Sequence, residues 1–292
     1  MNGFVVLDKA PGETSFHASS FLRKLYNEKK TGHTGTLDPM ATGVLPVAVG
    51  SATRLIPFLP DEEKGYTARL RLGIVTDTLD ITGKVLETRA VSATKVDFER
   101  VLPSFLGDIL QTPSMYSALS VDGKRLYALA RQGVEIERKA RPVRICRLEL
   151  TGCFDDNEYE IDVVCSKGTY IRSLAADIGE ALGCGAALTA LRRTASNGFT
   201  LENAVTEETL KTDPAAYLLP ADEPFAAFPA VYVTQKQAVR FMNGGDLLTE
   251  RLKGQPAPAV YRVYAPDGGF LGLGEIPAEK PETMLVKRVL GG

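Results

Sequence analysis

Residues 32–54 read GHTGTLDPMATGVLPVAVGSATR, the densest motif in the chain. Gly32, Gly35 and Gly43 permit sharp turns and close approach of a ligand to the backbone. Pro39 stiffens the chain after Asp38 and biases Asp38 itself away from helix. An apolar run over residues 44–49 follows, so a carboxylate sits on a stiff loop that leads straight into a strand. That arrangement suits the fixing of one reactive oxygen. Asp-Pro pairs in loops also commonly do no more than start a turn, and spacing alone leaves both readings open.

Working outward, residues 4–7 form a strand, and Thr14 or Ser15 caps a helix running to about Tyr26. Residues 64–72, KGYTARLRL, alternate: Tyr66, Ala68, Leu70 and Leu72 share one face, and Thr67, Arg69 and Arg71 the other. The pattern predicts a helix over 94–106 and a strand over 159–165. It predicts a further helix capped by Thr169 and running to about Leu182, where Gly183 ends it. Three prolines punctuate LPADEPFAAFPA, residues 219–230, and short apolar runs with tight turns follow it. The expected fold is α+β. A mixed, mainly antiparallel sheet makes up a first domain over 1–228, and a small β-barrel-like domain occupies 229–292.

The N-terminus, MNGFVVLDKAPG, has only four apolar residues in a run, too few for a signal peptide or a membrane span. A cytoplasmic protein without membrane contact is expected. Cys146, Cys153, Cys165 and Cys184 lie 7, 12 and 19 positions apart and form no zinc knuckle, so all four are read as small core residues. With only His17 and His33 in the chain, a zinc hydrolase built on several histidines is excluded. Phosphate-binding, dinucleotide-binding and hydrolase-elbow motifs are absent from the sequence. The net charge of −2 hides local basicity: between Gly123 and Arg147 eight Lys/Arg face two acids. Such a stretch is suited to phosphate contacts, or is simply a solvated surface.

The stretch 32–54 strongly resembles the core motif of the TruB family of tRNA pseudouridine synthases. The resemblance continues at VVLDKAPGETS, KGYTARLRLGIVTDTLDITG, TPSMYSALSVDGKRLYALARQGVEIERKARPV and CSKGTYIRSLAADIGEALGCGAALTALRRTASNGF, in that order. The C-terminal segment resembles a PUA domain, with a weaker match. One departure is visible, Ala10 where the family often has proline. The resemblance implies isomerisation of uridine 55 in the T loop of tRNA, with Asp38 catalytic, Tyr66 packing on the target base and Arg172 pairing with the aspartate. It places His33, Lys9, Arg54 and Leu191 at the substrate. It also makes a basic insertion, about 112–145 with Lys124, Arg125 and Arg141, the grip on the RNA arm. No metal and no cofactor is implied, because the reaction changes neither redox state nor net composition. The implied partner is tRNA, at its T arm and acceptor stem, engaged by a monomer without guide RNA.

The residues themselves support one of these pairings. Arg172 falls in the first turn of its helix, where a cation opposes the helix dipole and is better tolerated beside an anion. A neighbouring arginine is expected to hold the Asp38 pKa low and keep it ionised. Three other readings remain: an RNA-binding protein of the same fold, which would lack the Asp38/Arg172 pair; a guide-dependent relative, which would lack the basic insertion; and a carboxylate glycosidase, which needs a second matched acid.

Overall fold

Two strands near the N-terminus are apolar at nearly every position, the pattern of strands covered on both faces. They are β1 (Gly3–Lys9) and, after the short β2 (Thr31–His33), β3 (Thr42–Val49). Further along run β4 (Lys64–Leu72), the small pair β5 (Ile74–Thr76) and β6 (Val85–Thr88), and β7 (Gly107–Gln111). The hairpin β8 (Ser120–Val121) and β9 (Lys124–Arg125) precedes the long β10 (Arg141–Phe154) and β11 (Glu158–Cys165). Then come β12 (Ala186–Ser196), β13 (Phe199–Thr200) and β14 (Leu219–Pro220). The computed structural model describes the whole chain except residues 61–62, 117–119, 122–123, 126–128, 131, 135, 156, 255 and 292. At β8 and β9 it describes the backbone alone.

The main sheet has the order β14-β1-β3-β12-β4-β11-β10-β7, with β13 on β12 and β2 on β3. All its pairs are antiparallel except β3 with β12. One face is covered by α1 (Ser15–Leu25) and α3 (Ile171–Ala181), and α2 (Lys95–Val101) adds Phe98, stacked on Tyr159. Val5, Leu7, Leu45, Val47, Ala68, Leu70, Ile161 and Val163 meet Ala18, Leu22, Leu174, Ala175 and Ile178 there in one buried cluster. The other face of β1 and β3 presents Phe4, Val6, Val44 and Ala48 to Phe225 and to Leu273 of the C-terminal sheet. After α4 (Glu207–Thr212), that sheet comprises β15 (Ala230–Tyr232), β16 (Leu247–Leu248), β17 (Ala259–Tyr264), β18 (Phe270–Ile276) and β19 (Thr283–Val289). Its order is β15-β17-β18-β19-β16, with α5 (Gln235–Met242) packed on it. The fold is thus the expected α+β arrangement. No helix among the described residues is long and apolar enough to cross a membrane.

Local expectations hold where short-range chemistry decides them. Thr14 caps α1 by accepting the His17 N–H, and β4 alternates buried and half-buried residues. Others are corrected. The helix expected over 94–106 ends at Val101 and tightens to a 3₁₀ turn, Leu102–Phe105, because Pro103 has no N–H to continue it. Thr169 does not cap α3. Its hydroxyl donates to the Ser166 carbonyl, and Tyr170 holds the cap position without a side-chain bond. Gln111 instead accepts the Tyr170 N–H and donates to its carbonyl. Of the cysteines, Cys165 and Cys184 are core residues, but Cys146 and Cys153 are exposed. Cys146 is the unpaired residue of a bulge in β10, and Cys153 stands opposite Tyr159 near the end of that strand. Arg141, counted with the expected insertion, lies in the main sheet: it opens β10 and pairs with Gln111.

Gly43 is the tightest point of this framework. It pairs with Lys9 on one side and Arg193 on the other, at a φ of 98°. A Cβ there would lie 2.2 Å from the Arg193 carbonyl oxygen. Gly43→Ala is therefore expected to cost on the order of 3 kcal/mol or more of stability, from strain plus lost pairing. Chemical denaturation of the variant beside the parent measures it, and a loss under about 1 kcal/mol contradicts this reading.

Candidate active site

Asp38 stands in the loop between β2 and β3, and the loop is tied down on both sides of it. Before it, the Ser15 hydroxyl at the start of α1 donates to the Leu37 carbonyl and accepts the Leu37 N–H, at 3.1 and 2.8 Å. After it, the Pro39 carbonyl accepts from the Gly12 N–H at 2.8 Å and from the Lys9 ammonium at 3.2 Å. The Asp38 carbonyl closes a turn with the Ala41 N–H. A carboxylate fixed by its neighbours' backbone loses little entropy when it reacts.

Its partner is Arg172, on the first turn of α3. Nε meets Asp38 Oδ2 at 2.9 Å. Nη1 donates to the Thr78 carbonyl at 3.0 Å and lies 3.4 Å from Asp80 Oδ2, while Nη2 donates to the Tyr116 carbonyl at 3.0 Å. The guanidinium is therefore bonded on every edge, with only 8% of its side chain exposed. Asp80 is equally buried, and its Oδ1 accepts from the Thr82 N–H and the Thr78 and Thr82 hydroxyls. The turn that presents it includes Leu79 at a φ of 64°, strained backbone held beside the site. Asp80 is a residue the sequence reading did not single out. Its Thr-rich surroundings announce a turn, but its partner lies 92 residues away.

Burial pushes the Asp38 carboxyl above its usual value, Arg172 pulls it down, and Asp80 pushes it up again. The net direction is upward, opposite to the expectation drawn from Arg172 alone, because burial outweighs the attraction of Arg172 and the second acid adds to it. Asp80 faces the far side of the guanidinium, so the two carboxyls do not flank one cleft as a glycosidase pair would.

Asp38 and Arg172 lie at the wall of a cleft of about 230 Å³ also lined by Leu37, Lys64, Tyr66, Tyr170, Ile171 and Leu191. Tyr66 and Leu191, both expected here, are side by side on β4 and β12 and give it a flat apolar wall suited to a single heterocycle. Burial raises the Tyr66 phenol, and the Arg193 guanidinium opposite it works the other way. Arg193, also missed in the sequence, is completely buried, donating to the Val44 and Gly35 carbonyls.

The remaining expected residues lie elsewhere. Lys9 is almost fully buried and spends its ammonium on the Ala10 and Pro39 carbonyls, so it braces the Asp38 loop; burial lowers its pKa to about 8. His33 ends β2 outside the cleft. Burial pushes its imidazole below the usual value, and Nδ1 has no hydrogen-bond partner. Arg54 donates to the Gly291 carbonyl at 2.9 Å, on the side of the C-terminal sheet. Lys124 and Arg125 form β9, Arg141 is exposed on β10, and Arg131 lies outside the described residues. Arg144 and Arg147 are paired with Asp108 and Asp162, which removes two of the eight cations from the free basic surface.

With this geometry in view, the comparisons with known proteins are specific. Residues 23–171 match the family model of the TruB family pseudouridylate synthase N-terminal domain. Residues 172–225 match the tRNA pseudouridylate synthase B C-terminal domain, and 229–289 match pseudouridine synthase II TruB, C-terminal. The tRNA pseudouridine synthase B of Methylobacillus flagellatus is 44% identical over 94% of this chain and 91% of that protein. That of Escherichia coli is 42% identical over 96% and 92%. The fold is also that of a chain in an H/ACA ribonucleoprotein bound to a substrate RNA containing 2′-deoxyuridine, with a TM-score of 0.72 at 24% identity over 99% of this chain and 85% of that one. These matches place the chain in the class of pseudouridylate synthases, which are isomerases. Within that class, it belongs to the TruB family.

The raised carboxyl sets a pH dependence. If ionised Asp38 is the active form, it is present above its pKa in the folded protein and lost as pH falls through it. The acid limb of kcat/KM, which reports the free enzyme, is then expected above the value of about 3.9 for an ordinary aspartate. A limb at or below that value would contradict the assignment.

Proposed function

We propose that this protein converts uridine 55 in the T loop of tRNA to pseudouridine, with Asp38 as the group that acts on the glycosidic bond. The observation that carries this is a single braced carboxylate, paired with a buried arginine, at the wall of a cleft sized for one base. The overall change breaks C1′–N1 and makes C1′–C5; the hydrogen on C5 is lost and N1 gains one. Nothing is oxidised or reduced, and no atom leaves. One ionised oxygen near C1′ or the base is what such an exchange requires. Arg172 holds that oxygen in place, and its bonds to Asp80, Thr78 and Tyr116 prevent it from following the substrate.

The target base must leave its stack to reach this cleft, at a cost of a few kcal/mol that phosphate contacts and stacking on Tyr66 offset. The basic insertion, about 112–145, and residues 229–292 are read as the grips on the T arm and the acceptor stem, so the enzyme works on tRNA as a monomer and without a guide RNA. Curated relatives named tRNA pseudouridine synthase B support tRNA as substrate. A carboxylate glycosidase loses support because the second acid is locked behind Arg172.

Incubation with unmodified tRNA followed by chemical mapping of pseudouridine tests the assignment. Asp38→Asn is expected to abolish conversion while tRNA affinity stays within about threefold of the parent, since affinity rests on phosphate contacts. Substantial turnover by the purified variant refutes it.

Neutralising Lys124, Arg125, Arg131 and Arg141 together is expected to flatten the slope of log affinity against log salt by about two to four units. KM should rise far more than turnover falls. Titration at several salt concentrations decides it, and an unchanged slope makes the insertion a solvated surface.

A further inference from the structure

A second cavity, of about 220 Å³, shares the wall formed by Lys64 with the uracil-sized cleft. It is lined by Thr34, Lys64, Lys167 and Asn197 on one side and by Ile56, Pro57, Leu59 and Pro60 on the other. Lys64 is half-buried and makes no ion pair or side-chain hydrogen bond among the described residues. Burial pushes its ammonium below the usual value, and the positive charge of Arg193 adds to that. The two cations crowd Gly35 from the same side: a Cβ on that glycine would sit 3.1 Å from Lys64 Nζ and 3.6 Å from Arg193 Nη1. Arg193 spends Nε and Nη2 on backbone carbonyls, keeps Nη1 buried without a hydrogen-bond partner and is closed to solvent, whereas Lys64 opens into both cavities. The Thr34 hydroxyl, in the same cavity, is buried without a hydrogen-bond partner.

A desolvated cation without a carboxylate partner is costly unless an anion arrives from outside. We propose that this second cavity is a phosphodiester subsite. Lys64, with the Thr34 hydroxyl and Lys167, takes the backbone phosphate beside the reacting uridine, and the Ile56–Pro57–Leu59 wall packs on the adjoining ribose. The proposal rests on the RNA-isomerase reading above and adds to it the group that fixes the strand at the wall between the two cavities. The geometry explains why a cation stands between the cavities: a strand whose base enters one cavity presents a flanking phosphate at the rim of the next, and the ammonium is within reach of both.

The test compares the full-length parent with Lys64→Met and Lys64→Arg on an unmodified T-arm hairpin. It uses two further hairpins, in which the phosphodiester 5′ or 3′ of the target uridine is a neutral methylphosphonate. Lys64→Met is expected to weaken binding about tenfold and to flatten the salt slope by about 0.7–0.9, as loss of one charged phosphate contact does. Lys64→Arg should restore most of both. Neutralising one of the two linkages should weaken the parent by a similar factor and leave Lys64→Met unaffected. Parent affinity and slope in Lys64→Met would overturn the subsite, as would losses that simply add at both linkages. The linkage arm on the parent needs no variant to fold. A parent that binds the hairpin without isomerising it would refute the functional reading instead, and leaves the linkage comparison to decide the subsite.

Discussion

The guanidinium of Arg172 is the junction on which the site depends. Its donors reach Asp38 on the β2–β3 loop, Thr78 and Asp80 on the turn after β5, and Tyr116 in the segment after β7. Segments far apart in the chain are thereby referred to one planar group, which a lysine with its single flexible ammonium would not do. The placement carries an electrostatic cost, since a cation at a helix N-terminus is unfavourable by a few tenths of a kcal/mol. Two carboxylates more than offset it, and sharing the charge between them leaves Asp38 less stabilised as an anion than an exclusive pair would.

Around this junction the protein places cations against backbone. Lys9 and Arg193 donate to carbonyls of the 35–44 loop and its approaches, with no carboxylate bonded to either among the described residues. Both are buried, so their charges are felt at Asp38, Tyr66 and His33 through a poorly screened interior. Lys64 and Arg172 line the cleft beside Asp38, and Arg193 lies behind Tyr66, an arrangement that suits a polyanionic strand entering base first. Lys64 differs from the other two in opening to the cleft, and that difference gives it a ligand rather than a bracing role.

Much of this was legible beforehand because it is local. Thr14 caps its helix through its own hydroxyl, β4 alternates because one face is core, and β1 and β3 are apolar at nearly every position because helices cover one side and Phe225 and the C-terminal sheet the other. The errors are where a distant contact overrides the local rule. Gln111 replaces Thr169 at the start of α3, and a bulge and the end of β10 leave Cys146 and Cys153 exposed. Arg54 and Lys9 looked alike as basic residues near a motif, yet one reaches Gly291 and the other braces Pro39.

The sequence by itself determined the class of elements, the glycine and proline framework of residues 32–54, and Asp38, Tyr66, Arg172 and Leu191 as residues of one cleft. Those follow from turn chemistry, periodicity and motif, which act over a few residues or are carried whole by a resemblance. Only the tertiary structure decided that Asp80 completes the Arg172 junction, that Arg193 lies buried behind Tyr66, and that Lys64 stands between two cavities. Each depends on pairing partners about thirty to more than a hundred positions apart: Asp80 with Arg172, Tyr66 with Arg193, Gly35 with Lys64. Charge balance is summed in space, and a side chain's neighbours along the chain do not reveal which charges it will meet once the sheet has closed.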